Sequence, residues 1–182
     1  MDRSTGKILT VKNENKQWPI ASLTKLVTAD VVLDYEVSMS STGDIRNADN
    51  VGGARLWVND GDEFTVQDLF YAALVGSANN AANALSRTAG LSRTQFLKEM
   101  NTRATDLNLI KTRFVDPTGI ELGNVSTARE MTRLARDILN RDEMRKFTTT
   151  ATHYIHDITR GTDKKMTNTN WMIWKSYYDA VY

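Results

Sequence analysis

The chain has 182 residues, of which 41% are hydrophobic and 25% charged, with a formal net charge of +1 and no cysteine. This composition is typical of a globular domain, and the chain is long enough to bury a sizeable core. The small net charge gives no reason to expect a nucleic acid or an anionic membrane as partner. The lack of cysteine excludes disulfides and thiolate metal sites. The sequence shows neither a run of about 18 apolar residues that would span a membrane nor an apolar N-terminal stretch typical of a secretory signal.

The first third of the chain is predicted to form a strand, a helix and a long loop. A turn at 4–6 followed by aliphatic and β-branched residues at 7–12 predicts the strand. The apolar residues at 20–35 suit a largely buried helix. Residues 38–60 are rich in Gly, Ser, Asn and Asp, and we expect a loop there with short β-like pieces at 54–58.

Periodic apolar residues predict three consecutive helices in the middle of the chain. Thr65 can cap the start of the first helix, and Asp68 can return the bond in a capping box. The first helix is expected to break at the Gly76-Ser77 dipeptide. The expected ranges of the three helices are about 66–75, 80–88 and 94–107.

The last third begins with a turn at 116–119, because Asp-Pro-Thr-Gly is a typical turn sequence. Thr127 and Glu130 form a second capping-box pattern, which opens a further helix. Many β-branched residues at 148–158 predict a strand, and the aromatic stretch 168–178 predicts a short terminal helix. The chain is therefore expected to be helical in its middle, with β structure at both ends.

Two serines stand three residues ahead of a lysine, and one of these pairs lies on a predicted helix. Residues three apart share a helix face, so Lys25 can reach the Ser22 hydroxyl and act as the base that a serine nucleophile needs. Ser4 and Lys7 lie in a turn that leads into a strand, where residues three apart do not share a face. Spacing alone is weak support, and a helix-start serine beside a solvated lysine is the plain structural alternative.

A second candidate is the Ser77-Ala78-Asn79 sequence at the predicted break between two helices. A loop between packed helices can present a hydroxyl and a carboxamide at a cleft. The alternative is an ordinary helix cap, for which serine and asparagine are common. The two motifs together indicate a catalytic site more strongly than either motif alone.

Two further groups of residues are weaker candidates. His153 and His156 fall in a predicted strand, where positions three apart face opposite sides, so a shared metal site is not expected. An aromatic cluster lies near the C-terminus and comprises Trp171, Trp174, Tyr177 and Tyr178. These side chains would either line a cleft or, on the plainer interpretation, pack against the rest of the protein.

These motifs resemble those of the serine-type D-Ala-D-Ala carboxypeptidases, the low-molecular-weight penicillin-binding proteins of peptidase family S11. S-x-x-K and S-x-N sequences occur together in such enzymes. The order of the similar segments is kept over essentially the whole chain, and they are 4–7, 19–29, 69–85, 114–119, 126–127 and 168–170, with 21–26 and 76–82 the most specific. The resemblance implies an α+β fold of the β-lactamase/transpeptidase type, with a helical cluster packed on an antiparallel sheet that is incomplete in this chain.

The resemblance also implies a role for each residue of the two motifs. Ser22 would attack the peptide carbonyl between two D-alanines and form an acyl-enzyme, and Lys25 would accept its proton. Ser77 would relay a proton toward the leaving amine, while Asn79 would bind the substrate backbone and orient Lys25. The Ser22 N–H would supply one oxyanion-hole donor, and neither a metal nor another cofactor is expected.

The implied partners follow from the same family. They are peptidoglycan stem peptides ending in D-Ala-D-Ala, with β-lactam antibiotics as acylating inhibitors. Because peptidoglycan lies outside the cytoplasm, we expect a full-length parent in the periplasm or cell wall, although the chain itself shows no signal. We expect residues 1–182 to form a single, partial penicillin-binding catalytic domain.

The family's third motif, a Lys-Thr-Gly strand beside the serine, is not found in the chain. In the family this strand binds the substrate's terminal carboxylate and donates the second oxyanion-hole N–H. It should follow the Asn-Thr-Asn segment at 168–170, whereas the one Lys-Thr pair, Lys111-Thr112, precedes the turn at 116–119. Because one oxyanion donor contributes about 10²–10³ in rate, we expect these residues alone to be weakly active or inactive.

Three alternatives remain open. An endopeptidase that cuts D-Ala cross-links would use the same residues. A class A β-lactamase would need a deacylating glutamate, often in an E-x-x-L-N sequence, and no glutamate of this chain has that spacing. A non-catalytic scaffold that binds peptidoglycan or penicillin would account for the missing third motif.

Overall fold

The computed structural model describes residues 1–174 and has an α+β architecture of short strands and helices. The strands are β1 (Gln17–Pro19), β2 (Thr42–Ile45), β3 (Asp62–Thr65), β4 (Val125–Thr127), β5 (Thr152–Asp157) and β6 (Thr162–Thr167). The helices are α1 (Thr24–Asp34), α2 (Val66–Leu74), α3 (Asn79–Thr88), α4 (Arg93–Asp106), α5 (Ala128–Ile138) and α6 (Asp142–Thr149). Short 3₁₀ turns lie at Ala21–Leu23, Asn47–Asp49 and Trp171–Trp174.

In residues 1–174 the strands form antiparallel pairs: β1 with β4, β2 with β3, and β5 with β6. The first pair matters most for the site, and its register places Gln17 opposite Thr127 and Pro19 opposite Val125. β1 leads directly into the Ala21–Leu23 turn and α1, while β4 leads directly into α5. The pair therefore fixes where α1 begins.

Helix α1 is buried on nearly all sides, and α3 packs against both α1 and α2. Alanines at 81, 82 and 84 of α3 are at most 1% exposed, and their small side chains let the helices approach closely. Large side chains fill the remaining core, among them Val27, Phe64, Phe70, Leu85, Phe96 and Leu134. This packing holds the start of α3 close to the start of α1.

The predicted helices of the central part are confirmed. α2, α3 and α4 lie within one or two residues of their predicted bounds, and α5 begins where Thr127 was expected to cap it. Thr65 and Thr127 each accept the predicted hydrogen bond from the backbone N–H three residues later. Glu130 does not close a capping box, because its carboxylate instead accepts from the Lys111 N–H and the Thr112 hydroxyl. None of the described helices is long and apolar enough to cross a membrane.

Two of the predicted β segments are wrong. Residues 7–12 form no strand: residues 8–12 make no backbone hydrogen bond with another described segment, and Ile8, Leu9 and Val11 are exposed. Residues 54–58 form no strand either, because the backbone N–H and C=O of Leu56 bond to the Asn80 side chain. In both segments the β propensity is real, but the partner that a strand requires is missing.

The region 142–158 was predicted only in part. The strand begins at Thr152, later than expected, and helix α6 before it was missed. Thr148 and Thr149 belong to helix α6, and Thr150 is its C-cap. The hydroxyl of each of these threonines donates to a carbonyl one turn earlier, which lets β-branched residues stay in the helix. The predicted terminal helix appears as the 3₁₀ turn Trp171–Trp174, and residues 175–178 lie outside the described residues.

The Thr65 cap provides a stability test for α2. Thr65→Ala removes the hydroxyl that accepts from the Asp68 N–H at 3.1 Å, and it is expected to lower the free energy of unfolding by about 1 kcal/mol. Thr94→Ala, at an exposed position of α4, should change it by less than about 0.5 kcal/mol. Urea unfolding measures both, and equal effects of the two substitutions would contradict the capping assignment.

Candidate active site

Ser22 lies in the 3₁₀ turn immediately before α1, at an exposed position. The residue before it, Ala21, has a φ of +47°, a left-handed conformation that non-glycine residues rarely adopt. Within residues 1–174 the Ser22 N–H donates no hydrogen bond, as is usual at the first turn of a helix. The turn therefore offers an exposed serine and a Ser22 backbone N–H that has no hydrogen-bond acceptor among the described residues.

Lys25 lies one turn further along, is 2% exposed, and makes three hydrogen bonds through its Nζ atom. Nζ lies 3.0 Å from the Ser22 Oγ, 2.7 Å from the Asn79 Oδ1 and 2.8 Å from the Thr118 carbonyl oxygen. Three partners from three separate segments therefore hold the lysine against the serine. The sequence indicated the contacts with Ser22 and Asn79, and it gave no sign of the Thr118 carbonyl.

These partners determine where the Lys25 lone pair points once the lysine is neutral. A neutral amine has two N–H groups and one lone pair, whereas the ammonium has three N–H groups. The Thr118 carbonyl can only accept, and so can the Asn79 Oδ1, whose amide orientation is fixed by donation from Nδ2 to the Gly52 carbonyl at 2.7 Å. Both N–H groups are thus used, and the lone pair faces the Ser22 hydroxyl. The arrangement can take a proton from Ser22.

Burial makes this neutral form accessible. Withdrawal from solvent disfavours the ammonium and lowers the pKa of Lys25 from 10.5 to about 8, against a smaller opposite effect of the Asp116 carboxylate. With a pKa of about 8, roughly a tenth of the lysine is neutral at pH 7. Lys25 thus combines the geometry and the basicity that a general base needs.

Ser77 and Asn79 flank the break between α2 and α3. Ser77 has a φ of +54° and is half-buried. Asn79 is the first residue of α3 and 5% exposed, and it turns its carboxamide toward Lys25 and Gly52. Ser77 lines the same cavity as Ser22. Asn79 does not line that cavity, and its side chain contacts Lys25 and Gly52 instead.

A cavity of about 450 Å³ lies beside the Ala21–Leu23 turn, which is called the nucleophile turn below after its candidate nucleophile Ser22. Ser22, Lys25 and Ser77 are among the polar residues that line it. Apolar and polar side chains complete the lining, namely Ile20, Ala21, Leu23, Leu26, Ala73, Leu74, Thr148, Asn168, Thr169 and Asn170. The segment 168–170, which the sequence resemblance included, therefore lines the same cavity as Ser22, Lys25 and Ser77.

The weaker candidates do not join this site. The Ser4 hydroxyl donates to Asp2 and makes no contact with Lys7. The His153 ring stacks on Tyr71, while the His156 Nδ1 lies 2.7 Å from an Asp163 oxygen. Trp171 is 73% and Trp174 49% exposed, and neither lines the cavity. Tyr177 and Tyr178 lie outside the described residues.

Comparison with solved structures defines the fold class. The chain superimposes on the Streptomyces K15 DD-transpeptidase with a TM-score of 0.85 and 26% sequence identity, over 98% of this chain and 74% of that one. The fold is therefore of the penicillin-binding and β-lactamase-like type, as the sequence resemblance implied.

Comparison of sequences gives the family. The family model described as D-alanyl-D-alanine carboxypeptidase matches residues 1–181, and the chain belongs to this family. It is 33% identical to the D-alanyl-D-alanine carboxypeptidase DacF of Bacillus subtilis, over 100% of this chain and 47% of that protein. It is 39% identical to a D-alanyl-D-alanine endopeptidase of Pseudomonas aeruginosa, over 73% of this chain and 44% of that protein. The chain thus spans about half the length of these relatives.

Proposed function

We propose that the protein is a serine-type D-Ala-D-Ala carboxypeptidase, which removes the terminal D-alanine from peptidoglycan stem peptides through an acyl-enzyme. The observation that carries this proposal is the Lys25 amine, which is buried, hydrogen-bonded to Ser22 and oriented by two obligate acceptors. Family membership supports the same reaction. Because peptidoglycan is extracytoplasmic, the proposal includes action in the periplasm or cell wall, and residues 1–182 contribute to one catalytic domain.

In the first half of the proposed reaction, the Ser22 Oγ attacks the carbonyl carbon between the two D-alanines as its proton passes to Lys25. The carbonyl oxygen becomes an oxyanion, which the free Ser22 N–H is placed to stabilise. The C–N bond then breaks, and the leaving amine takes a proton from the Lys25 ammonium through the Ser77 hydroxyl. The products are free D-alanine and an ester on Ser22.

In the second half, water attacks the ester carbonyl while Lys25 again accepts a proton, and the shortened peptide leaves as a carboxylic acid. Asn79 holds Lys25 through its Oδ1, and in the proposal its amide also binds the substrate backbone, which requires the Nδ2 donation to the Gly52 carbonyl to give way or to be shared. A β-lactam would acylate Ser22 in the same way, by opening of its strained amide. No metal or cofactor is required for any of these steps.

The proposal is tested by mapping the acylated residue. Prolonged incubation with a fluorescent penicillin, followed by digestion and mass spectrometry, is expected to find a slowly formed adduct on Ser22, with at most one penicillin per chain. An adduct on another residue would remove Ser22 from the role of nucleophile. No adduct at all would favour the non-catalytic scaffold, whereas rapid release of hydrolysed penicillin would favour a β-lactamase.

An endopeptidase is the second candidate, because the Pseudomonas aeruginosa relative is named as one. Its chemistry would use the same four residues, so the substrate decides between the two activities. Release of D-alanine from a D-Ala-D-Ala pentapeptide supports the carboxypeptidase. Cleavage of a cross-linked muropeptide dimer without release of D-alanine supports the endopeptidase.

A further inference from the structure

The Thr118 carbonyl that accepts from Lys25 belongs to a loop built around one carboxylate. Asp116 is 2% exposed. Its Oδ1 accepts from the Thr118 N–H at 2.6 Å, the Thr118 hydroxyl at 2.5 Å and the Gly119 N–H at 2.9 Å. Its Oδ2 accepts from the Glu121 N–H at 3.0 Å and from the Asn124 side-chain amide. The carboxylate therefore holds both the peptide group that carries that carbonyl and the peptide group before it.

Asn124 joins this loop to the segment that leads into the nucleophile turn. Asn124 is fully buried, and its Oδ1 accepts from the N–H groups of Val115 at 2.8 Å and Asp116 at 3.3 Å. Its backbone carbonyl accepts from the Ile20 N–H at 2.9 Å. The carbonyl that holds the lysine and the turn that holds the serine thus belong to one hydrogen-bonded unit.

Asp116 also provides the charge that Lys25 experiences. The polar groups that contact the Lys25 Nζ are the Ser22 hydroxyl, the Asn79 carboxamide and the Thr118 carbonyl, all of them neutral. Among the described residues, Asp116 carries the one charge that acts on the pKa of Lys25. Burial raises the pKa of Asp116, but the hydrogen bonds that it accepts outweigh burial and leave the pKa below its ordinary value.

We propose that Asp116 is a positioning residue for Lys25. It holds the Thr118 carbonyl at the point where Lys25 donates, and its negative charge balances the ammonium that forms when Ser22 loses its proton. Asp116 does not line the cavity beside Ser22, so it acts through the lysine and not on the substrate. The inference rests on the proposed function, because it concerns the base of that reaction.

Two substitutions weight the charge and the geometry differently. Asp116→Asn removes the charge with little change in volume, although its amide nitrogen cannot accept the hydrogen bonds that the Glu121 N–H and the Asn124 amide donate to Oδ2. Because the ammonium loses its counter-charge, the Lys25 titration midpoint is expected to fall by about one unit. Asp116→Glu keeps the charge but displaces the loop, so acylation by penicillin is expected to slow about tenfold or more with a midpoint close to that of the unmodified protein. Lysine-selective ¹³C NMR measures the midpoint directly, and fluorescent penicillin measures the acylation rate.

The matched control is Asp163→Asn, an exposed carboxylate paired with His156, which should change neither quantity. An Asp116→Asn midpoint equal to that of the unmodified protein would overturn the proposal. The NMR titration requires no acylation, so a protein that never reacts with penicillin contradicts the proposed function and still tests Asp116. Circular dichroism checks folding of each variant.

A second variant keeps the proposal testable if Asp116→Asn does not fold. Thr118→Val removes the hydroxyl that donates to Asp116, and it is expected to slow acylation about threefold to tenfold. An unchanged acylation rate would overturn the positioning role.

Discussion

Replacing Lys25 with methionine is expected to lower the rate of Ser22 acylation by about 10²–10⁴-fold. Methionine has a similar length and suits a buried position, but it has no lone pair that can take a proton at neutral pH. The loss should appear in the acylation rate and leave one penicillin site per chain, because the other residues that line the cavity are unchanged. A labelling time course with fluorescent penicillin gives the rate.

The pH dependence of the acylation rate provides a second test of Lys25 as the base. Because the neutral amine is the active form, the acylation rate of the unmodified protein should rise with pH through a midpoint near the Lys25 pKa of about 8. Lys25→Met should lose this rise. Lys98→Met, at an exposed position of α4, is the matched control and should retain both the rate and the midpoint. A Lys25→Met rate within threefold of the unmodified protein would remove Lys25 from the role of base.

Much of the geometry of the candidate site could be predicted from sequence because it is local. Ser22 and Lys25 are separated by one helical turn, so their contact follows from helix periodicity once α1 is recognised. The Asn79 contact spans 54 residues, and it was inferred from the family resemblance and not from spacing. Helices α2, α3 and α4 were predicted closely from their apolar periodicity, and Asn79 lies at the start of α3.

The other contacts of the site could not be predicted because they involve backbone groups, which are the same for nearly every amino acid. The Thr118 carbonyl reaches Lys25 across 93 residues, and any amino acid at that position would offer the same oxygen. The Asp-Pro-Thr-Gly turn was visible in the sequence, but its position against α1 was not. The wrong strand at 7–12 has a similar cause, because propensity does not show whether a neighbouring strand is present.

Replacing Gly119 with alanine is expected to damage both the fold and the site. Gly119 has a φ of +86°, and a Cβ atom there would lie 1.9 Å from the Ala21 carbonyl oxygen. The left-handed conformation costs alanine about 1–2 kcal/mol, and the overlap about 1–3 kcal/mol more. We therefore expect Gly119→Ala to lower the free energy of unfolding by about 2–5 kcal/mol. Acylation should fall about 10²-fold, because the Ala21 carbonyl can escape only by moving the peptide that carries Ser22.

Gly161→Ala separates the two contributions. Gly161 also has a positive φ, of +63°, but a Cβ there would meet nothing within 4 Å. Its replacement should cost only the conformational part, about 1–2 kcal/mol, and leave acylation unchanged. Urea unfolding and labelling kinetics on the two variants thus distinguish backbone strain from the close contact with Ala21. If Gly161→Ala slowed acylation as much as Gly119→Ala, the close contact between Gly119 and Ala21 would not explain the loss. The contact between the 116–119 loop and the nucleophile turn would then not hold Ser22 in place.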